Sequence, residues 1–520
     1  MPIYELLNTH RRNIPDAIAA TNGTAALTYS DLAGQVDTLA KSMVASGIAK
    51  GDRVVTLAPP SIEFWISFLA TTSIGAIWSG LNPRYRQHEC HMRLQELQPK
   101  LVLVLEDGID GRDHFEEIQH ILNNGANSDS TEIFSFGERN DEFSVDRYES
   151  RSEKVSKEQY RTALSAVRDA DIAAIVYTSG STGDPKGAML SHGAMLRCAA
   201  ASVEWLGDSL QKAIMSVPIN HVGGLNNLSM NVFYYGGTIR FLAKFSIEDI
   251  LEIGDQESVT YVGHNQTTFT MLLGLPDFTL EKMHACMALV HGGSRTSEKT
   301  LAEFTSLDSS ISSVYAQTES CGYILRSQQD ATLDVMANTL GKPVDGVTIR
   351  ISDPTSNKEL PIGEVGEMQA KFDWAFSGYY NNSEASDAAF TADGYLKTGD
   401  LCLLRSDGNV ELVERMSQMY KSGGHSIFPT EIEQVICSHP DVAMAAVLGV
   451  ANDLFGEVGY AFVMPIQGAA LTEHEVDDFL RQQIANFKVP KTIRLLKSMP
   501  LLPNTKIDKQ ALKDQLNDNP

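Results

Sequence analysis

A loop rich in glycine and hydroxyl side chains, residues 177–187, offers the clearest chemistry in this sequence. It reads Tyr-Thr-Ser-Gly-Ser-Thr-Gly-Asp-Pro-Lys-Gly and follows the apolar run 172–176, which predicts a buried strand. Glycines let backbone N–H groups turn toward an anion, hydroxyls add donors, and Lys186 adds positive charge. The segment therefore predicts a phosphate-binding loop in preference to a flexible surface turn. It is not a P-loop, because Pro185 precedes the lysine and Gly187 follows it.

Four more segments carry polar groups that could contact an anion, a metal ion or a hydroxyl, and three of them also contain glycines. They are Pro-Ile-Asn-His-Val-Gly-Gly at 218–224, His-Gly-Gly-Ser at 291–294, Tyr-Ala-Gln-Thr-Glu at 315–319 and Tyr-Leu-Lys-Thr-Gly-Asp at 395–400. A carboxylate such as Glu319 supplies the hard oxygen ligands that Mg²⁺ requires. Asp400 could accept hydrogen bonds from two ribose hydroxyls. Glycines at 292 and 293 would let a planar base lie close to the backbone.

Two segments near the C-terminus show a similar density of features. Residues 421–433 contain the pair Gly423 and Gly424, followed by Pro429, Thr430 and Glu433. The last three predict a capped helix start with a structural role. Residues 503–509 read Pro-Asn-Thr-Lys-Ile-Asp-Lys, and lysines near a chain end are ordinarily solvated charges.

In this order, from about residue 20 to residue 510, the segments resemble the adenylate-forming (AMP-binding) superfamily in its acyl- and aryl-CoA synthetase branch. The resemblance implies a large N-terminal domain of α/β sheets with a small β-barrel-like subdomain, and a small mobile α/β C-terminal domain. We place the N-terminal domain, with the ATP and acyl pocket, at 1–415. The C-terminal domain with the catalytic lysine is placed at 416–520.

The resemblance also implies an ATP-dependent carboxylate–CoA ligase that forms an acyl-adenylate, releases pyrophosphate, and then forms a thioester with release of AMP. ATP, Mg²⁺ and coenzyme A as acceptor substrate are the implied cofactors. The acid is expected to be a small aryl or short- to medium-chain acyl carboxylate.

The resemblance assigns roles residue by residue. The catalytic group comprises Lys506, His221 and Glu319, and the expected Mg²⁺ ligands are Thr178 and Glu319. ATP and AMP would be bound by Thr178, Ser179, Gly180, Ser181, Thr182, Gly183, Lys186, Gly292, Gly293, Tyr315, Thr318, Asp400, Arg415 and Lys506. The acyl pocket would comprise His221, Gly223, Gly263, His264, Gly292 and Gln317, with Gly423 and Gly424 at the CoA tunnel and Ser417 as hinge.

Several positions depart from the superfamily pattern. The hinge residue is serine where relatives have Asp or Lys, and Glu414 stands where glycine is usual. Ala316 and Thr505 also replace glycines, and Gln266-Thr267 replaces a Pro-Thr pair. These departures leave the fold expectation intact and concern the hinge and the shape of the acyl pocket.

Composition narrows the classes of partner. The 520 residues carry a formal net charge of −24, which disfavours nucleic acid or an anionic membrane surface as a partner. Six scattered cysteines without a CxxC pair favour a reducing cytoplasm over a zinc site or a disulfide framework. The oligomeric state stays open, with a homodimer as one option.

Alternation of strand-like runs, such as 54–57 and 101–105, with helix-length segments such as 61–72 predicts an α/β fold with parallel sheet. The uncharged stretch 64–81 is about as long as a membrane span. Its serines, threonines and glycines favour a buried helix that runs into a strand. The polar segment 108–169 is expected to be peripheral.

Three rival functions share parts of the pattern. An amino-acid-activating domain would need a carboxylate for the substrate ammonium, and Ile219-Asn220-His221 has none. A luciferase-like oxygenase or a carrier-protein-loading enzyme would share every motif and differ only in the acceptor. A non-catalytic nucleotide sensor would have no need of Lys506 on a separate mobile domain.

Overall fold

The structure is a computed structural model that describes residues 1–105, 111–125, 131–137, 142–178, 185–293, 296–305, 310–423, 425–466, 468–502 and 507–518. The strands in this part of the chain are β1 Ile18–Thr21, β2 Ala26–Thr28, β3 Arg53–Leu57, β4 Ile77–Leu81, β5 Leu101–Leu105, β6 Glu132–Phe136, β7 Ile172–Tyr177, β8 Gly187–Ser191, β9 Lys212–Met215, β10 Thr238–Phe241, β11 Tyr261–His264, β12 Ala288–Gly292, β13 Ser310–Ala316, β14 Tyr323–Arg326, β15 Lys342–Pro343, β16 Thr348–Ser352, β17 Gly366–Lys371, β18 Leu396–Leu404, β19 Val410–Arg415, β20 Tyr420–Ser422, β21 His425–Ile427, β22 Val442–Asn452, β23 Gly456–Pro465 and β24 Thr492–Leu495.

The α-helices of the same residues are α1 Ile3–Asn13, α2 Tyr29–Ala45, α3 Ile62–Ser73, α4 Gln87–Leu97, α5 His114–Asn123, α6 Val145–Glu149, α7 Lys157–Ser165, α8 His192–Leu206, α9 Asn231–Tyr235, α10 Ile247–Gln256, α11 Gln266–Leu273, α12 Glu298–Phe304, α13 Leu333–Asn338, α14 Ser383–Ala388, α15 Pro429–Cys437, α16 Glu473–Gln483 and α17 Lys509–Asp518. Short 3₁₀ turns occur at Ser150–Lys154, Gly207–Gln211 and Leu280–Met283, and a π-helix occurs at Gly223–Met230.

Two large sheets form the body of the molecule. The first has the order β15-β14-β13-β12-β11-β9-β10-β1-β2, and its central strands from β13 to β1 are parallel. The second has the order β6-β5-β3-β4-β7-β8 and is parallel except for β8, which returns antiparallel to β7. The predicted α/β fold with parallel sheet is confirmed.

Helix α3 packs between the two large sheets and joins them through aromatic side chains. The ring of Phe64 lies 5.7 Å from that of Trp78 on β4 and 5.9 Å from that of Phe241 on β10. Trp65 and Phe68 on the same helix are also buried. Helix α3 and β4 thus account for the uncharged stretch 64–81, as predicted. The part of the chain that the structure describes contains no helix long and apolar enough to cross a membrane.

Two smaller sheets complete the fold. Strands β16-β17-β18-β19 form an antiparallel sheet of four strands, which we call the small β-subdomain. Strands β20 to β24 form the C-terminal sheet, which packs with α15 and α16 around a core of its own that includes Ile432, Val447 and Leu480. The chain passes between these sheets through residues 416–419.

The helix start at residue 429 is capped differently from the prediction. Pro429 occupies the first turn of α15 as expected, but Thr430 lies inside the helix and its preceding N-cap, Phe428, makes no side-chain cap. Glu433 does not reach back to the helix start, because its Oε1 accepts a hydrogen bond from the backbone N of Val447 at 2.7 Å. The predicted capping by Thr430 and Glu433 is therefore wrong.

The acceptor at this helix end comes from across the linker. Glu414, on β19, accepts hydrogen bonds from the backbone N of Thr430 at 2.7 Å and from its Oγ1 at 3.0 Å. Its carboxylate also accepts from the backbone N of Arg415 at 2.8 Å. A negative charge at a helix N-terminus is favourable because of the free N–H groups and the helix dipole. Glu414 therefore ties the C-terminal sheet and its helices to the last strand before the linker.

Replacing Glu414 with alanine should loosen this attachment. Loss of a helix N-terminal acceptor costs about 1 kcal/mol. The linker of Glu414→Ala should therefore open more often, and trypsin should cleave this variant faster than the wild type after Arg415 and Lys421. Mass spectrometry of a digestion time course would measure the cut positions. Glu411→Ala on the same strand is the control, because Glu411 pairs with Arg405 instead. Equal digestion rates for both variants would contradict the proposed attachment.

Candidate active site

A cavity of about 1300 Å³ lies at the carboxyl ends of the parallel strands β9, β11, β12 and β13. The neck of the glycine loop, the small β-subdomain and the linker close its other sides. Fourteen of the expected site residues line it: Thr178, Lys186, His221, Gly223, Gly263, His264, Gly292, Gly293, Gln317, Thr318, Glu319, Asp400, Arg415 and Ser417. Residues remote in sequence meet here because parallel strands end at one edge of their sheet.

The neck of the glycine loop is closed by two hydrogen bonds between Thr178, which follows β7, and Lys186, which precedes β8. The N–H of Thr178 donates to the carbonyl of Lys186 at 2.9 Å, and the N–H of Lys186 donates to Thr178 Oγ1 at 3.4 Å. The loop is thus the connection of a β-hairpin. Ser179, Gly180, Ser181, Thr182 and Gly183 lie outside the described residues, and their phosphate contacts stay a prediction.

Helix α4 braces both ends of this loop. The guanidinium of Arg93 lies 4.3 Å from the ring centroid of Tyr177 and donates to the carbonyl of Pro185 at 3.4 Å. Tyr177 donates in turn to Glu96 Oε2 at 2.9 Å. Since these contacts hold the residues on either side of the glycines, α4 sets the entry and exit of the loop.

Glu319 and Lys186 are connected through one tyrosine. The hydroxyl of Tyr379 donates to Glu319 Oε1 at 2.7 Å, and the ammonium of Lys186 lies 5.2 Å from the centre of the Tyr379 ring. Burial and the neighbouring Glu319 raise the pKa of Tyr379, which keeps it a hydrogen-bond donor. Tyr379 thus contacts an acid through its hydroxyl and a cation through its ring.

Asp400 forms the centre of a buried polar network. Its Oδ2 accepts from the Tyr315 hydroxyl at 2.5 Å and from Gln317 Nε2 at 3.1 Å, and Arg415 Nε lies 3.1 Å from Oδ1. The pair raises the pKa of Arg415, chiefly through the charge of Asp400. Within the described residues, the buried Oδ1 accepts no hydrogen bond of good geometry. A ribose hydroxyl would provide one.

Tyr315 and Gln317 both donate hydrogen bonds to Asp400. Tyr315 points away from the cavity wall formed by its neighbours Val314 and Ala316, and its buried hydroxyl is bound to Asp400. Gln317 lines the cavity, but its amide donates to the carbonyl of Thr398 at 2.8 Å as well as to Asp400. Stacking of Tyr315 on adenine and a place for Gln317 in the acyl pocket both stay predictions.

The other end of the cavity is largely apolar and contains His264. Its Nε2 lies 3.3 Å from Ser216 Oγ, and its Nδ1 lies 2.6 Å from Thr268 Oγ1. Burial lowers the pKa of this histidine to about 4, so the ring is neutral near pH 7. His221, nearer the loop, accepts a hydrogen bond from the backbone N of Gly223 at Nδ1, at 3.1 Å.

Gly292 is required by strand packing. A Cβ at this position would lie 2.9 Å from both the carbonyl oxygen and the Cγ2 of Val314 on the adjacent strand. The following residue, Gly293, has a φ of +80°, which other residues rarely adopt. The two glycines therefore let the end of β12 turn along the cavity floor.

Three predicted elements lie away from the cavity or outside the described residues. Gly423 lies in the turn between β20 and β21, where its N–H donates to the carbonyl of Phe455 at 2.8 Å, and it does not line the cavity. Gly424 and Lys506 belong to the part of the chain that the structure leaves undescribed. Their tunnel and catalytic roles stay predictions, as does the hinge role of Ser417.

The sequence contained signals for further site residues. Tyr379 belongs to a Gly-Tyr-Tyr-Asn-Asn run at 378–382, in which tandem aromatics beside turn-forming asparagines could have indicated a binding loop. Arg93 and Asn227 had no comparable signal. Each sits within a helix, and only the packing of that helix shows which side chains face the cavity.

The fold is that of a nucleotide-binding α/β enzyme with an appended C-terminal unit. The chain belongs to the AMP-binding enzyme family, because the family model for AMP-binding enzymes matches residues 7–380. A second model, for the AMP-binding enzyme C-terminal domain, matches residues 431–509. The superfamily predicted from the sequence is thereby confirmed.

Curated relatives and solved structures agree with this family. The chain is 27% identical to a feruloyl-CoA synthase from Amycolatopsis over 95% of each protein. It is 28% identical to an indoleacetate–CoA ligase from Aromatoleum aromaticum over 96% of this chain and 95% of the relative. ATP-bound MatB from Rhodopseudomonas palustris superposes with a TM-score of 0.87 at 27% identity, covering 100% of this chain and 99% of the other. The crystal structure of apo MatB gives a TM-score of 0.73.

Removing the hydroxyl of Tyr379 should weaken the side of the cavity that contains Glu319 and Lys186. Tyr379→Phe loses the hydrogen bond to Glu319, and a hydrogen bond to a charged group contributes roughly 1.5–3 kcal/mol. We expect kcat/KM for ATP to fall by about tenfold or more in acid-dependent ATP–pyrophosphate exchange. Tyr235→Phe, which removes a hydroxyl bound to Asp208 away from the cavity, should retain the wild-type value. Equal losses in both variants would remove the special role of Tyr379.

Proposed function

We propose that this chain is an ATP-dependent carboxylate–CoA ligase that works in two half-reactions. In the first, a carboxylate oxygen attacks the α-phosphate of ATP, an acyl–O–P bond forms, and pyrophosphate leaves. In the second, the thiol of coenzyme A attacks the acyl carbonyl, loses its proton, and displaces AMP. The chain is thus an AMP-forming acid–thiol ligase, in keeping with its family and its CoA-ligase relatives.

One observation carries this assignment. A single cavity joins the neck of a phosphate loop, the buried acid Asp400 and an apolar end that contains a neutral histidine. A nucleotide and an apolar acid can therefore be held with their reacting atoms adjacent. Positioning and charge stabilisation are the main requirements of nucleotidyl transfer.

The residues divide the first half-reaction among them. Asp400 would hold the ribose hydroxyls while Arg415 balances its charge at 3.1 Å. Lys186 would attract the β- and γ-phosphates. Glu319 and the hydroxyl of Thr178 suit Mg²⁺, which is commonly held by one or two carboxylates together with substrate phosphates. When bound, the ion would neutralise charge on the departing pyrophosphate.

Lys506 is proposed as the residue that neutralises charge between the carboxylate and the α-phosphate. The assignment rests on its place in the sequence motif at 503–509. For the second half-reaction we propose that residues 416–520 rotate about Ser417, withdraw Lys506 and bring Gly423 and Gly424 to the cavity. Ser417 already lines the cavity beside Arg415, at the linker between the two sheets. Hinge motions of this kind let one site serve two reactions in turn.

The two half-reactions can be tested separately. Lys506→Ala should reduce acid-dependent ATP–pyrophosphate exchange by at least about 100-fold, as expected for loss of a charge that stabilises a transition state. The same variant should make thioester from a supplied acyl-adenylate and coenzyme A at close to the wild-type rate. Lys513→Ala, an exposed lysine on α17, is the matched control.

Ser417→Pro tests the second half-reaction, because proline restricts φ at the proposed hinge. It should slow only thioester formation. Equal losses in both half-reactions for Lys506→Ala would overturn the division of labour. A complete lack of pyrophosphate exchange by the wild-type protein with ferulate, indoleacetate and short-chain acids would overturn the ligase assignment itself.

A further inference from the structure

The π-helix Gly223–Met230 forms one wall at the apolar end of the cavity and carries unusual polar residues. Asn226, Asn227 and Ser229 on this helix, and Asn231 just after it, are all buried. A buried polar group without a hydrogen bond costs about 1–3 kcal/mol. π-Helical turns are also frequent at functional sites, because the widened turn alters where side chains point. The wall therefore needs partners for its polar groups.

The neighbours of Asn227 satisfy part of this requirement within the protein. Asn226 Nδ2 donates to the carbonyl of Cys321 at 2.7 Å, and Asn231 Nδ2 donates to the carbonyl of Asn227 at 2.8 Å. Of the four polar residues, Asn227 is the one that lines the cavity. Its Oδ1 is closed off from the cavity and has no hydrogen-bond partner in the described part of the chain, as is also true of Asn226 Oδ1, Ser229 Oγ and Asn231 Oδ1. The Nδ2 end of the Asn227 amide is therefore the end that can face the cavity.

Packing holds the amide of Asn227 at the cavity wall. A Cβ on Gly322 would lie 2.4 Å from Asn227 Oδ1, so the glycine makes room for this amide. An amide carries both donors and an acceptor, and a half-turn of its terminal torsion exchanges their positions. Asn227 can therefore pair with a hydroxyl, a carbonyl or an N–H group on a bound acid.

Charge is distributed unequally along the cavity. Its lysines and arginines among the described lining residues, Arg93, Lys186, Lys397 and Arg415, lie on the α4, loop, β18 and β19 side. The acyl end is lined by neutral groups, namely Ser216, Leu228, Phe245, His264, Val290 and Tyr323. Both nitrogens of His264 already contact hydroxyls. A second carboxylate placed there would be a buried charge without a partner, which is costly.

We propose that the acyl end selects a monocarboxylic acid bearing an uncharged hydrogen-bonding group, and that Asn227 is the residue that recognises this group. The inference rests on the proposed ligase function. A site with a buried polar group rejects the analogue that lacks the matching group, because the protein atom is then left unpaired. The same logic disfavours dicarboxylic acids.

Two matched sets of acids test the proposal with the full-length enzyme. The aryl set is 4-hydroxycinnamate, 4-methylcinnamate and 4-carboxycinnamate, and the alkyl set is 6-hydroxyhexanoate, heptanoate and heptanedioate. Each set changes only the terminal group, and kcat/KM is read from ATP–pyrophosphate exchange. In whichever set is activated, the hydroxy acid should exceed the methyl analogue by at least about tenfold, with the diacid lowest.

Asn227→Leu should reverse this order, with the hydroxy acid losing about tenfold or more and the methyl analogue gaining. KM for ATP should stay at its wild-type value, which reports that the nucleotide side is intact. Asn123→Leu, the same change at an exposed position of α5, is the control and should keep the wild-type preference.

Each outcome decides a separate statement. A wild-type enzyme that activates the methyl acid or the diacid as well as the hydroxy acid would overturn the substrate class, and this panel needs no variant to fold. An unchanged preference in Asn227→Leu, with normal KM for ATP, would overturn the role of Asn227. Absence of ATP–pyrophosphate exchange with every acid, including ferulate and indoleacetate, would instead overturn the proposed ligase function on which the inference rests.

Discussion

The site depends on the hydrogen bonds and the ion pair that the buried carboxylate of Asp400 makes. It receives hydrogen bonds from Tyr315 and Gln317 at the end of β13 and faces Arg415 on β19. A buried acid is tolerated only when donors and a counter-charge surround it. Because those partners come from the nine-stranded sheet and from the small β-subdomain, the contacts of one carboxylate hold the two sheets together and form the side of the cavity that we propose for the nucleotide.

The rest of the cavity follows from how parallel strands end. Strands β9, β11, β12 and β13 present their carboxyl ends at one edge, so the segments after each strand converge without any local sequence relationship. Polar groups gather on the side of Lys186 and Asp400, whereas the π-helix and His264 build a neutral opposite end. The division between a charged and a neutral half suits the proposed pairing of a charged nucleotide with an uncharged acyl group.

The linker at residues 416–419 lies next to the Asp400 network and leads into the C-terminal unit. Arg415 pairs with Asp400, and the preceding Glu414 caps α15 of the C-terminal unit. The end of β19 thus contacts both the proposed nucleotide site and the C-terminal unit, which we propose to be mobile.

Short sequence patterns by themselves determined several features of the fold and the family. Glycine-rich loops, apolar runs and turn residues act over a few positions, so the α/β class, the strand before Thr178, helix α3 and the family were predictable. Capping of α15 was not, because its acceptor Glu414 reaches it only across the linker. The position of Tyr379 between Glu319 and Lys186, and of Asn227 at the cavity wall, likewise arose from packing. Such contacts join residues remote in sequence, and only the tertiary structure decided them.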